Sequence, residues 1–328
     1  MTALIQRAVS PFKSVCYSSG RPGPRLIVLG AVHGNEVCGT LAITRVMAIL
    51  DAGEARLAAG HATFVPITNP LAYANGTRAG DRNLNRGLHP TDAPREFEDQ
   101  VANWLCPLLA SHDVLLDLHS FQGEGEPFVF IGPENNDGAI EPFRHAEREE
   151  RLAARLGVVR CVYGWLSTYA GGVAQRRQRT SDQTADWHAR TDAHYGIGTT
   201  EYMRSVGGWG MTLECGRHDD PSAVDVACAA IFNTLHHLGL LAGDAPEPVR
   251  HMQSVHMCEV VDRQDAGDAF ARRWRSFDAL RRGELIGTRA DGSRVVAPYD
   301  GYIVFPNAAA DVETEWFYLA KQGDRLSF

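Results

Sequence analysis

Two short apolar runs lead into residues that can ligate a metal. Leu26-Ile-Val-Leu-Gly-Ala-Val-His33-Gly-Asn-Glu36 passes from a strand pattern into His33-x-x-Glu36, and Val114-Leu-Leu-Asp117-Leu118 leads onto His119. An α/β sheet assembles its sites at the carboxyl ends of its strands, so two such runs predict one shared site. Two histidines and one carboxylate form the ligand set of a catalytic zinc whose fourth position stays open for water. A zinc held in that way lowers the pKa of its water to about 7, and the chemistry it serves is hydrolysis.

Hydrolysis of an amide also needs a group that carries a proton to the leaving nitrogen. Glu214 follows the apolar run Met211-Thr-Leu213 and fits that need, although a strand-end carboxylate in water has the same local sequence. Arg78 and the pair Asn85-Arg86 sit between the two ligand-bearing runs. An arginine beside a reacting carbonyl can stabilise the oxyanion formed on attack, and another can grip a substrate carboxylate through its planar fork. A solvated basic loop is the plain alternative. Asp117 reads equally as a partner of His119 or as a satisfied polar residue of its strand. With 13 histidines in the chain, His33-x-x-Glu36 alone carries little weight.

The elements that must position these residues alternate. A strand over 25–31 is followed by a helix over 37–50, a strand over 62–67, a long loop over 71–94, a helix over 95–111 and the His119 strand. Residues 170–200 read as a surface excursion, 210–213 as a strand and 221–238 as a helix, with Asp220 as candidate cap and Gly239 just past the end. Residues 241–248 have the composition of a linker. Beyond them, short alternating runs separated by Asp-Gly turns predict strands. The expected organisation is a catalytic domain over 1–245 and a small β-rich domain over 249–328.

Composition narrows the function. The chain has 328 residues, 44% hydrophobic and 22% charged, with a net charge of −8. That balance argues against a nucleic-acid or anionic-membrane surface. No apolar run approaches the ~20 residues of a membrane helix. The seven scattered cysteines read as reduced thiols of a cytoplasmic protein. With only two lysines, Lys13 and Lys321, near the chain ends, a P-loop or Schiff-base lysine is excluded in practice.

The ordered set His33-x-x-Glu36, Arg78, Asn85-Arg86, Asp117-Leu-His119-Ser and Thr212-Leu-Glu214 resembles the succinylglutamate desuccinylase/aspartoacylase family, a branch of the zinc carboxypeptidase superfamily. The resemblance runs in order over about residues 25–240. It implies a carboxypeptidase-like α/β fold with a mostly parallel or mixed sheet and helices on both faces. It also implies one zinc per chain on His33, Glu36 and His119, with Arg78 at the scissile carbonyl. Asn85 and Arg86 would bind the substrate carboxylate, and Glu214 would act as general base and acid. The family's C-terminal β domain narrows access to the site. In aspartoacylases one of its tyrosines reaches the substrate, and residues 307–312 offer no tyrosine in that register.

The function expected is zinc-dependent hydrolysis of a small anionic N-acyl amino acid. A metallocarboxypeptidase acting on short peptides, or a non-catalytic binding protein on the same scaffold, are the competing readings. No nucleic-acid or membrane partner is expected, and a homo-oligomer is left open.

Overall fold

Strict alternation along the central strands explains the layering. In the computed structural model, which describes residues 11–179 and 192–326, β1 (Val15–Ser18), β2 (Arg25–Leu29), β3 (His61–Val65) and β4 (Val114–Phe121) open the sheet. Leu26 and Val28 of β2, and Val114, Leu116 and Leu118 of β4, face one side. There they pack under α1 (Cys38–Asp51) and the late helix Ser222–His237. Ile27, Leu29 and Leu115 face the other side, against α3 (Phe97–Ala110), with α2 (Pro70–Asn75) short and lying before it in the chain. Both faces of these strands are covered, as a parallel sheet requires.

β5 (Phe128–Phe130), β6 (Arg160–Tyr163), β7 (Trp209–Arg217), β8 (Gln253–Asp262), β10 (Ala279–Leu280), β13 (Gly301–Val304) and β14 (Glu315–Gln322) complete an 11-stranded sheet. Its order is β1-β3-β2-β4-β7-β5-β6-β8-β14-β13-β10. Strands β3, β2, β4 and β7 run parallel, β5 is antiparallel to β7, and β6 and β8 are parallel again. The strands after residue 249 therefore continue the sheet through the β6–β8 pair. A separate three-stranded antiparallel sheet holds β9 (Ala269–Phe270), β11 (Leu285–Thr288) and β12 (Arg294–Val296). The fold is the mixed α/β arrangement expected.

Three local expectations change. β4 and β7 run past His119 and Glu214 rather than stopping before them, because the three-residue β5 pairs with β7 at Glu214 and prolongs the sheet there. The ladder between β4 and β7 shifts register between His119 and Phe121, which re-aims the strand end. The expected surface excursion over 170–200 is helical at its start and near its end: α5 spans Trp165–Arg179 and α6 spans Thr199–Ser205, with α7 being Ser222–His237. Residues 180–191 lie outside the described residues. Asp220 accepts the Ser222 N–H at the start of α7, and Gly239 takes a φ of +68° beyond its end, both as expected. Among the described residues no helix is long and apolar enough to cross a membrane.

Candidate metal and catalytic site

The turn after β2 is built for close approach. A Cβ on Gly34 would lie 1.9 Å from the Ala72 carbonyl carbon, so only glycine lets the loop after His33 pack on α2. Ala31 holds a φ of +46°, unusual for a residue with a side chain, and Asn69 N–H bonds its carbonyl. This turn delivers His33 and Glu36 beneath β4, whose His119 comes from the adjacent strand.

His33, Glu36 and His119 are all buried, and their ligand atoms lie within 4.8 Å of one another. Glu36 Oε1 is 2.9 Å from His33 Nδ1, and Glu36 Oε2 is 2.8 Å from His119 Nδ1. Each imidazole has an oxygen behind it. His33 Nε2 lies 3.0 Å from Asn83 Oδ1, and His119 Nε2 lies 2.9 Å from Asp117 Oδ2, the latter off the straight hydrogen-bond line. Metal-bound histidines are held in this way, with the far nitrogen on an oxygen acceptor and the near one turned to the ion.

Protonation bears on whether a cation fits. Asn83 Oδ1 also accepts the Asn85 N–H, so it is an acceptor toward His33, and His33 carries its proton on Nε2. Burial, reinforced by Arg78, pushes His33 down to about 4, so it is neutral at pH 7. A bare Nδ1 lone pair then faces a carboxylate oxygen at 2.9 Å, which repels unless a cation lies between them. Burial works against charge on Glu36, but the two imidazoles hold its carboxyl well below the usual range. Burial likewise opposes charge on His119, and Asp117 and Glu36 overcome it. A buried anionic carboxylate between two Nδ1 atoms is a donor set that suits a divalent metal, whose binding would displace the proton that Asp117 and Glu36 hold on His119.

Around this centre the other expected residues take distinct positions. Arg78 Nη1 donates to Glu36 Oε1 at 2.8 Å while about half its side chain is exposed, which puts its guanidinium at the mouth of the site. Glu214 is the register partner of His119 across β4 and β7, and its buried Oε2 has no hydrogen-bond partner. Burial, then the charge of Glu36, pushes the Glu214 carboxyl up to about 8. Asn85 Oδ1 accepts the Thr199 N–H at the start of α6, which leaves its amide donors for a ligand. The Arg86 guanidinium lies 4.6 Å from the centre of the Trp165 ring, and among the described residues it has no carboxylate partner.

Several residues of the site have no local sequence signal. Thr199 Oγ1 donates to Asp117 Oδ2, tying α6 to the carboxylate behind His119. Ser120 Oγ lies 2.8 Å from His218 Nδ1, and the Ser120 N–H donates to Glu36 Oε2. Of the arginines the sequence offers for specificity, Arg176 is buried on Asp262 and Glu315, and Arg204 on Glu149 and Glu141. Both hold the fold.

The long loop is organised by Glu98, in the first turn of α3. Its fully buried carboxylate accepts from the N–H groups of Gly80, Asp81 and Arg82 and from Asn69 Nδ2, at 2.8 to 3.1 Å. Leu84 and Leu88 pin the following stretch into the core. Glu98→Ala leaves three backbone donors without their acceptor and is expected to lower the unfolding free energy by about 3 kcal/mol. Urea denaturation checks this, and a loss below about 1 kcal/mol would mean that water replaces the carboxylate.

Comparison with known proteins bears on the fold and on a family resemblance. Residues 22–126 match the family model of the succinylglutamate desuccinylase/aspartoacylase catalytic domain. No curated protein sequence matches the chain. The fold is similar to that of a succinylglutamate desuccinylase/aspartoacylase from Rhodobacter sphaeroides, at 17% identity and a TM-score of 0.66 over 92% of this chain and 87% of that one. It is similar to the product-bound ectoine utilization protein of Ruegeria pomeroyi, at 18% identity and a TM-score of 0.68 over 94% of this chain and 88% of that one. An aspartoacylase family protein from Mesorhizobium loti aligns at 21% identity and a TM-score of 0.64, over 94% of this chain and 89% of that one. At these identities the likeness to the solved structures is one of fold. The match to the succinylglutamate desuccinylase/aspartoacylase catalytic-domain family thus lies across the turn and strand that carry His33, Glu36 and His119, on a chain whose fold is that of the solved structures.

Proposed function

We propose that this protein is a zinc-dependent deacylase that hydrolyses the amide bond of a small N-acyl amino acid. The observation that carries the reading is the buried Glu214 Oε2, without a hydrogen-bond partner, on the residue in register with His119 of the metal-competent triad. His33, Glu36 and His119 would hold one zinc per chain, which when bound polarises a carbonyl and acidifies water. Glu214 takes a proton from the attacking water and passes it to the leaving nitrogen. Arg78 meets the charge that develops on the carbonyl oxygen. Asn85 and Arg86 grip the substrate carboxylate, with the Arg86 guanidinium over the Trp165 ring.

Residues 1–245 serve here as the catalytic unit, and 249–328 as the part that narrows access. The seven cysteines, none of them in a disulfide, suit a reducing cytoplasmic setting. The reading is tested by incubating zinc-loaded protein with acetyl-, succinyl- and formyl-amino acids beside short peptides and measuring released amine. Turnover of acyl amino acids is expected. Cleavage of peptides alone would make it a carboxypeptidase instead. The two arginines should separate kinetically: Arg86→Ala mainly raises KM, whereas Arg78→Ala lowers kcat by about 10²–10³. If both variants changed only KM, Arg78 would be a second binding arginine.

A further inference from the structure

Glu214 and Arg86 are joined by a continuous wall of aromatic rings on one face of the sheet. In the ladder, Phe128 of β5 is directly opposite Glu214 and Phe130 opposite Thr212, and opposed residues of an antiparallel pair point to the same face. The Phe305 ring lies 5.8 Å from Phe128 and 6.0 Å from Phe130, centre to centre. Tyr318 follows at 6.4 Å from Phe305, and Trp165 at 5.7 Å from Tyr318. Arg86 rests on Trp165. The rings of Phe130, Phe305 and Trp165 are only partly buried, so they present apolar surface.

Two features mark this wall as built. Phe305 and the neighbouring Phe277 both hold a positive φ, +50° and +71°, a strained conformation for an aromatic residue. Each is pinned by its backbone N–H, to Ser276 Oγ at 3.0 Å and to the Ile303 carbonyl at 2.7 Å. Among the described residues, several arginines that could meet an acidic side chain are engaged elsewhere. Arg176 is doubly bonded to Asp262, Arg204 is enclosed by glutamates, and Arg160 lies on the Phe277 ring with its Nε on Gln253.

We infer that the wall of Trp165, Tyr318, Phe305 and Phe130 receives the side chain of the substrate's amino acid, and that this side chain is aromatic or large and aliphatic. The inference rests on the deacylase reading. In that reading Arg86 holds the carboxylate and Glu214 protonates the amine, so both act on the leaving amino acid, and the rings that run beside them are the surface met by the side chain that branches from the carbon joining amine and carboxylate. A second carboxylate there would be desolvated against rings, with Arg176 and Arg204 already paired to carboxylates.

The test compares N-acetyl-L-phenylalanine, N-acetyl-L-leucine, N-acetylglycine, N-acetyl-L-aspartate and N-succinyl-L-glutamate as substrates of the zinc-loaded full chain. The kcat/KM for the phenylalanine and leucine derivatives is expected to exceed that for the acidic ones by at least about tenfold. Phe305→Ala should shrink the phenylalanine-to-glycine ratio by a similar factor. Calorimetric binding of free L-phenylalanine against L-aspartate reads the wall apart from turnover and needs no variant. Preference for the acidic substrates would overturn the inference and leave the deacylase reading standing. Tighter L-phenylalanine binding without turnover of any acyl amino acid would support the wall and sink the deacylase reading. Neither turnover nor preferential L-phenylalanine binding would end both, and an unchanged ratio in Phe305→Ala would overturn the wall alone.

Discussion

Glu214→Gln is expected to lower the turnover number by about 10²–10⁴ while the fold and the metal content stay those of the wild type. The amide keeps the size of the carboxyl but cannot accept the proton of the attacking water, so the loss falls on the chemical step. Glu214 lies beside the ligand set and not within it, which is why the metal should remain. The same substitution has a second readout in metal-stripped protein. There the Glu214 carboxyl is pushed up to about 8, whereas in an unfolded chain it titrates near ~4.3. The folded state thus binds more protons between those values, and stability present below about pH 4.3 is lost as pH rises toward 8. Glutamine removes that dependence. Metal-free Glu214→Gln should melt above metal-free wild type at pH 8, with the gap narrowing toward pH 5. A variant that turns over at the wild-type rate would reduce Glu214 to a structural carboxylate.

His119→Ala should abolish stoichiometric metal binding. Loss of a residue behind a ligand typically weakens metal affinity about 10–100-fold, and loss of the ligand itself should exceed that. The substitution also strands Glu36 Oε2 and Asp117, both of which face His119 in the buried centre. Elemental analysis after dialysis against a weak chelator is the measurement. Full metal retention by His119→Ala would take the strand β4 out of the site, and the proposed zinc centre with it.

The parts of this centre that sequence reasoning reached are those with a repeating local pattern. Alternation in β2 and β4 sends Val28 and Leu116 to one face and Leu29 and Leu115 to the other, and the same alternation aims His119. Thr199 and Glu98 were illegible for a common reason. Each is one polar residue whose partner is distant in sequence, and its local context suggests something ordinary: a helix-start hydroxyl, an acid favoured by the helix dipole. Asp117, which the sequence leaves undecided, is resolved only once Thr199 and His119 flank its carboxylate. The aromatic wall draws on residues from 128 to 318, so no window of the chain displays it. The turn signals after residue 249 correctly announce strands, but nothing local reveals that β8 pairs with β6.

That pairing has a consequence for how the protein is made. β6 ends at Tyr163, and the strand that covers it begins at Gln253. Synthesis at about 5–20 residues/s therefore leaves the β6 edge without its neighbour for roughly 5–20 s on the ribosome. During that interval a nascent chain already holding β2, β3 and β4 offers an open row of backbone donors and acceptors to any other extended segment. Slow translation across 164–253, or a stop within it, should therefore direct the chain toward aggregates or a holding chaperone rather than toward a smaller working enzyme.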